Sequence, residues 1–269
     1  MDYKFPRILV PVDGSPQSLV AFKAAIDIAK KFESHLTTLH IDEKGVNEEG
    51  LRESLESHSH GFDYHYVHKS GTVHKEILRA AKETHAELII MGSHGVSGFQ
   101  EFWLGSNSYK VATSATCPVL SMRENSLVTE FKTIVLPIDT SFETRQKVPA
   151  AMNIARKSGS IVHVLGVSSD NGKEAEYKVD SFTRQVITSL KDKGIKTVLE
   201  KKLGGNITNI TIEYAQSVNA DLVIIMTEQE LQLGSFFFGK FAQQMVNHSP
   251  VPVLSVPPRE ELMGAVAKL

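Results

Sequence analysis

Four glycines fall within residues 92–108, "GSHGVSGFQEFWLGSNS", directly after the apolar run "ELIIM". Glycine has no Cβ, so it takes positive φ readily and lets another group press against its backbone. Gly92, Gly95 and Gly105, followed by Ser106, could offer backbone N–H groups and a hydroxyl to the oxygens of a phosphate. Asp13 and Ser15 follow a second apolar run, "ILVPV". A carboxylate there could bond a ribose hydroxyl or help to hold a metal ion, and Ser15 could cap the helix that follows. A glycine-rich loop alone is equally a flexible turn that binds nothing. The chemistry depends on which elements place these two segments.

Those elements occur twice. "FPRILVPVDGS" at 5–15 matches "FKTIVLPIDTS" at 131–141, "AELII" at 86–90 matches "ADLVI" at 220–224, and "CPVLSM" at 117–122 matches "VPVLSV" at 251–256. The order is kept and the offset drifts only from 126 to 134, which indicates a duplicated domain. The expected division is a domain over 1–124, a linker over 125–130, a second domain over 131–258 and a tail over 259–269 that could form a loose helix. Strand and helix patterns alternate within each copy. The first gives strands "ILVPV", "HLTTLHI", "FDYHYVH", "ELIIM" and "PVLSM", with helices over 15–32, about 48–58, about 73–85 and a short one after the glycine loop. The second gives "TIVLPI", "SIVHVLGV", "IKTVLEK", "DLVIIM" and "PVLSV", with helices over 143–158, about 174–193, 206–218 and near 240–247. Near-continuous apolar strands that alternate with helices imply an α/β fold with a parallel sheet covered on both faces. Ligands of such sheets sit at the carboxyl ends of the strands, where the strand order reverses. "VDGS", "HID" and "GSHG" all fall there.

The spacing Gly92-x2-Gly95-x9-Gly105-Ser106 resembles the ATP-binding signature of the universal stress proteins, G-2x-G-9x-G followed by Ser or Thr. "ILVPVDGS" resembles that family's opening strand and acidic turn, "TCPVLSM" its closing strand, and the duplication its tandem members. The resemblance implies two tandem doubly wound domains, each a five-stranded parallel sheet. It implies ATP, with or without magnesium, as the ligand. Gly92, Gly95, Gly105 and Ser106 would hold phosphate, with Asn107 a lesser candidate. Asp13 would lie at the ribose or phosphates, the backbone near Ile41 at adenine, and Pro11, Val12 and Met91 would shape the pocket. A Gly92→Val, Gly95→Val double variant would then lose binding and keep its sheet.

The second copy departs from the pattern. At offset 134, Met226, Gln229 and Lys240 stand where the first copy has Gly92, Gly95 and Ser106; only Gly105 keeps a partner, Gly239. Glu228 and Glu230 add negative charge where phosphates would sit. One nucleotide site per chain is expected, in the first copy. "GSFFFGKF" at 234–241 spells the start of a P-loop, but Phe241 replaces the magnesium-binding Ser or Thr. The run Phe236–Phe238 suits apolar packing or an exposed patch.

His58, His60, His65, His68 and His74 invite a metal reading, but His65 and His68 point to opposite faces of a strand, and solvated surface histidines are the simpler expectation. His94, inside the glycine loop, could touch phosphate or face water. No nucleophile–base pair and no second acid for two-metal chemistry is evident. The expected role is a nucleotide-dependent stress-response sensor or regulator; the alternatives are an interaction scaffold without nucleotide and a slow magnesium-dependent ATP hydrolase using Asp13. The chain has 269 residues, 41% hydrophobic and 22% charged, with a net charge of −2, which gives no general pull toward nucleic acid. No apolar run is long enough to cross a membrane, the N-terminus does not read as a signal peptide, and the single Cys117 excludes an internal disulfide; together these point to the cytoplasm. The closing strands would be edges, and in the family such strands pair between domains; here they could pair within one chain as a pseudo-dimer, with a homodimer of two chains as a further option.

Overall fold

The computed structural model describes residues 5–42, 48–92, 107–123, 130–227, 229–232 and 235–258. The chain divides between residues 129 and 130 into two compact units. The first unit contains β1 (Arg7–Val12), α1 (Pro16–Phe32), β2 (His35–Asp42), α2 (Glu48–Ser59), β3 (His65–Ser70), α3 (Val73–Glu83), β4 (Leu88–Gly92), α4 (Asn107–Ser114) and β5 (Val119–Met122). The second contains β6 (Thr133–Ile138), a 3₁₀ turn (Glu143–Arg145), α5 (Val148–Ser158), β7 (Ile161–Ser168), α6 (Lys173–Lys191) and β8 (Lys196–Leu203). It continues with α7 (Ile207–Ser217), β9 (Leu222–Met226), β10 (Gln229–Gln232), β11 (Ser235–Phe238), α8 (Lys240–His248) and β12 (Val253–Val256).

Each unit is an α/β doubly wound layer structure. The first holds five parallel strands in the order β3-β2-β1-β4-β5. The second holds five in the order β12-β9-β6-β7-β8, also parallel. The central strands are apolar throughout because helices cover both faces: Ile8, Leu9 and Val10 of β1 and Leu88 to Met91 of β4 are all buried. In the first unit, right-handed crossovers put α1 and α2 against each other on one face and α3 and α4 on the other. From β1 the chain winds out to β3, then returns to β4 on the other side of β1, so the strand order reverses between β1 and β4.

α1 illustrates how a sequence sets a helix. Ser15 caps it, Pro16 fills the first position where no N–H is needed, and Glu33 ends it in the left-handed region. Its sheet-facing side is small and apolar, with Ala21, Phe22, Ala25, Ile28 and Ala29 buried, which brings the helix close to the strands.

Three boundaries differ from the sequence reading. The third strand starts at His65, not Phe62, because His60 and Gly61 both take positive φ and turn the chain just before it. The helix expected over 143–158 starts only at Val148, with Pro149 in its first turn and the 3₁₀ turn ahead of it. After β9 the chain forms an antiparallel hairpin, β10 with β11, instead of a glycine loop. Phe236–Phe238 therefore lie in a strand. The 259–269 tail lies outside the described residues.

Candidate functional site

The carboxyl edge of the first unit is built by the ends of β1, β2 and β4 and the starts of α1 and α4. β1 ends at Val12, and the chain enters α1 through Asp13 and Gly14, the latter at φ +83. The turn is closed by its own polar groups. The Ser15 amide donates to Asp13 Oδ1 at 3.0 Å, and the Ser18 amide donates to Ser15 Oγ at 3.3 Å. Ser18 Oγ donates to the Ser15 carbonyl at 2.9 Å and accepts from the Asp13 amide at 3.3 Å. Asp13 is exposed and the first turn of α1 contains no acidic residue, so the positive end of that helix faces the edge.

Gly92 ends β4 at the same edge, where α1 begins. A Cβ on Gly92 would lie 2.4 Å from the Gln17 carbonyl oxygen and 2.9 Å from the Ser18 nitrogen. Only glycine lets the strand end meet the helix backbone this closely. The expected phosphate glycine is thus also a packing glycine. The Gly92→Val component of the double variant would disturb the fold, so that variant does not separate binding from packing. The Gly92 carbonyl accepts from Ser108 Oγ at 3.0 Å, which ties the first turn of α4 to the end of β4.

The structure brings several of the expected residues together. Pro11, Val12 and Asp13 at the end of β1, Met91 and Gly92 at the end of β4 and Ile41 at the end of β2 lie on one edge of neighbouring strands, with Asn107 opening α4. Val12, Ile41 and Met91 are buried. Gly95, Gly105, Ser106 and His94 lie outside the described residues.

Sequence reading missed one cluster at this edge. His40, 1% exposed, donates from Nδ1 to the Val12 carbonyl at 3.0 Å. Its ring stacks on His68 with centroids 5.3 Å apart and planes 25° apart. His68 Nδ1 lies 3.1 Å from Glu48 Oε2, and Glu48 Oε1 accepts from Arg52 at 2.9 and 3.0 Å. Arg52 covers the Tyr66 ring at 3.9 Å. The Arg52 hydrogen bond, with the nearby histidines, holds the Glu48 carboxyl below the usual range. His68 is exposed, as expected of a surface histidine, and is also partnered by Glu48 and the His40 ring. The available signal was a histidine placed inside the apolar strand "HLTTLHI". Among the described residues no group of three His, Cys, Asp or Glu side chains could hold a metal ion, and Cys117 is buried.

The second unit keeps the acidic turn and loses the rest. The Ser141 amide donates to Asp139 Oδ1 at 2.7 Å, and the Asp139 amide donates to Thr144 Oγ1 at 3.2 Å, as in the first unit. Sheet register places Met226 where the first unit has Gly92, since Leu222 pairs with Ile134 as Leu88 pairs with Ile8. A side chain now stands at the strand end, and the α-helix begins later. Arg145, Gln146 and Lys147 are all buried in the intervening turn. Lys147 Nζ donates to the Thr144 carbonyl at 2.7 Å and to Thr144 Oγ1 at 3.0 Å, and the Arg145 guanidinium sits 4.2 Å from the Phe182 ring.

Comparison with known proteins agrees with this architecture. Residues 4–54, 42–123 and 130–257 match the model of the Universal stress protein family. The chain is 32% identical over 147 residues to Universal stress protein YxiE of Bacillus subtilis, a match covering 44% of this chain and 99% of that one. It is 30% identical over 142 residues to Universal stress protein MJ0531 of Methanocaldococcus jannaschii, covering 45% and 83%. In fold it is similar to the crystal structure of a universal stress protein from Archaeoglobus fulgidus, with a TM-score of 0.74 at 19% identity over 94% of this chain and 99% of that one. With matches in both units, sheets of order 3-2-1-4-5 and the "VDGS" turn at the edge, the chain belongs to the universal stress protein family.

Proposed function

We propose that the first unit binds ATP at its carboxyl edge and that the chain acts as a nucleotide-dependent stress-response sensor or regulator. The observation that carries this reading is the contact of Gly92 with the first turn of α1, at the point where the strand order reverses. That contact sets a helix N-terminus and the start of the glycine-spaced segment side by side, an arrangement suited to phosphate. Asp13 takes the ribose or phosphates, the backbone at Ile41 takes adenine, and Pro11, Val12 and Met91 form the wall. Gly92, Gly95, Gly105, Ser106 and Asn107 hold the phosphates, with or without magnesium. In the second unit, Met226 and the delayed helix remove the equivalent of that contact, so one nucleotide binds per chain.

The test is to denature freshly purified protein and identify any nucleotide released by mass spectrometry. Gly95→Val and Asp13→Ala serve as controls, because Gly92 cannot be changed without disturbing packing. About one ATP per chain, lost in the controls, is the expected result. A ligand at 100 times its dissociation constant adds about 2.7 kcal/mol of stability. No released nucleotide and no thermal shift with added ATP would refute the reading, and two per chain would refute the restriction to the first unit.

A further inference from the structure

We infer that His40 is a positioning residue for the nucleotide edge, and that a proton taken up by His68 beside Glu48 is coupled through it to ATP affinity. The inference rests on the reading that ATP binds at this edge.

A carbonyl oxygen only accepts, so His40 Nδ1 carries the hydrogen of its 3.0 Å bond to Val12. That bond fixes the last peptide carbonyl of β1, one residue before Asp13. The Glu48 carboxylate lies 3.1 Å from His68 Nδ1, an ion-pair contact when that ring is protonated. With Nδ1 donating to Val12, any additional proton on His40 would go to Nε2. With centroids 5.3 Å apart, a charge on one ring opposes a charge on the other. His68 has 35% of its side chain exposed and faces a carboxylate, whereas His40 is buried. Among the described residues, the ionisable groups nearest the pair are Glu48 and Arg52 from α2 and Tyr66 on the same face of β3, with Asp42 two residues beyond His40 on β2. From β1 comes the Val12 carbonyl, with Asp13 following it.

The second unit supplies an internal comparison. Register places Gly166 where the first unit has His40, since it pairs with Ile138 as His40 pairs with Val12. Lys201 stands where His68 stands, pairing with Gly166. Lys201 donates to Glu176 at 2.8 Å and to Asp180 at 3.0 Å, so its charge is permanent. Among the described residues, a titratable ring at this register position occurs in the unit that keeps the glycine spacing and is replaced by Gly166 in the other. A cation at His68 favours an anionic ligand at the adjoining edge, and a bound anion favours the proton in return.

The experiment has two arms. In ligand-free protein, the Asp13 amide, which shares a peptide plane with the Val12 carbonyl, is followed by NMR from pH 5.5 to 8.5 beside the His68 ring signals. ATP affinity is then measured at pH 6.0 and 8.0 for wild type, His68→Gln, His40→Gln and His40→Leu. The expected result is an Asp13 shift that follows His68 and disappears in His68→Gln. ATP should bind about fivefold or more tightly at pH 6.0 than at pH 8.0 relative to His68→Gln, the lower range of coupling between linked sites. The titration of ATP itself is common to all variants and cancels in that ratio. His40→Gln keeps a donor for Val12 and should retain affinity at pH 8.0 without the pH response; His40→Leu should lose affinity at both. Equal pH ratios in wild type and His68→Gln, with an Asp13 amide indifferent to His68, would overturn the inference. An Asp13 amide that follows His68 in a protein that binds no ATP would support the coupling and overturn the functional reading.

Discussion

Gly92→Ala adds one methyl group to the end of β4, and its effect follows from the contact there. The new carbon would lie 2.4 Å from the Gln17 carbonyl oxygen, 2.5 Å from the Gln17 carbonyl carbon and 2.9 Å from the Ser18 nitrogen. Ordinary contact for such atoms is about 3.5 Å, so the strand end and the first turn of α1 must separate by about 1 Å. All three atoms are backbone, so no side-chain rotation relieves the clash. Overpacking of this kind costs about 1–3 kcal/mol. Movement of the first turn also endangers the Ser15 cap, worth about 1 kcal/mol. The assay is urea unfolding without nucleotide, followed by far-UV circular dichroism. Gln17→Ala in the same background should restore nothing, because the obstacle is its main chain. A Gly92→Ala protein as stable as wild type would show that β4 and α1 are not in backbone contact and would remove the main support for the edge described above.

Other expected outcomes concern the second unit. Gly166→Ala should also destabilise by about 1–3 kcal/mol, but its Cβ would meet a side chain, Val179 Cγ1 at 2.6 Å. Val179→Ala should therefore recover part of the loss, and simple additivity in the double-mutant cycle would refute the contact. His163, hydrogen-bonded to the Tyr214 hydroxyl at 2.9 Å, has its pKa lowered from 6.5 by burial. Just below pH 6.5 the unfolded chain then binds more protons than the folded one, so stability decreases as the pH is lowered there, until the folded form is also protonated. His163→Gln should flatten that slope, read as the difference in Tm between pH 7.5 and 5.5; an unchanged slope would assign the effect elsewhere.

The architecture was legible because its code is local and periodic. Runs such as "ILVPV" and "ELIIM" announce strands buried on both faces, and "DGSPQS" carries both the cap and the N1 proline of α1. Features set between segments were less visible. The late start of α5 carries one local signal, Pro149 in its first turn, while the burial of Arg145, Gln146 and Lys147 ahead of it depends on distant segments. Gly92 could be read as a flexible residue beside a ligand, whereas its need for a bare Cα comes from a helix whose backbone the sequence does not display. His40 and His68 meet because β2 and β3 pair with those two residues in register, which alternation in either strand alone cannot show. The β10–β11 hairpin lacked a turn motif of the usual kind and was passed over.

The strand order also sets the order in which the first unit can be assembled on the ribosome. β1 can pair with β2 soon after synthesis, Arg7 meeting His35, but its other side must wait for Leu88 to meet Ile8. At about 5–20 residues per second, that interval lasts on the order of several seconds. Until then an apolar strand edge stays open, and the crevice between β1 and β4 does not yet exist. A chain stalled before β4 therefore presents an open strand edge to chaperones or to aggregation.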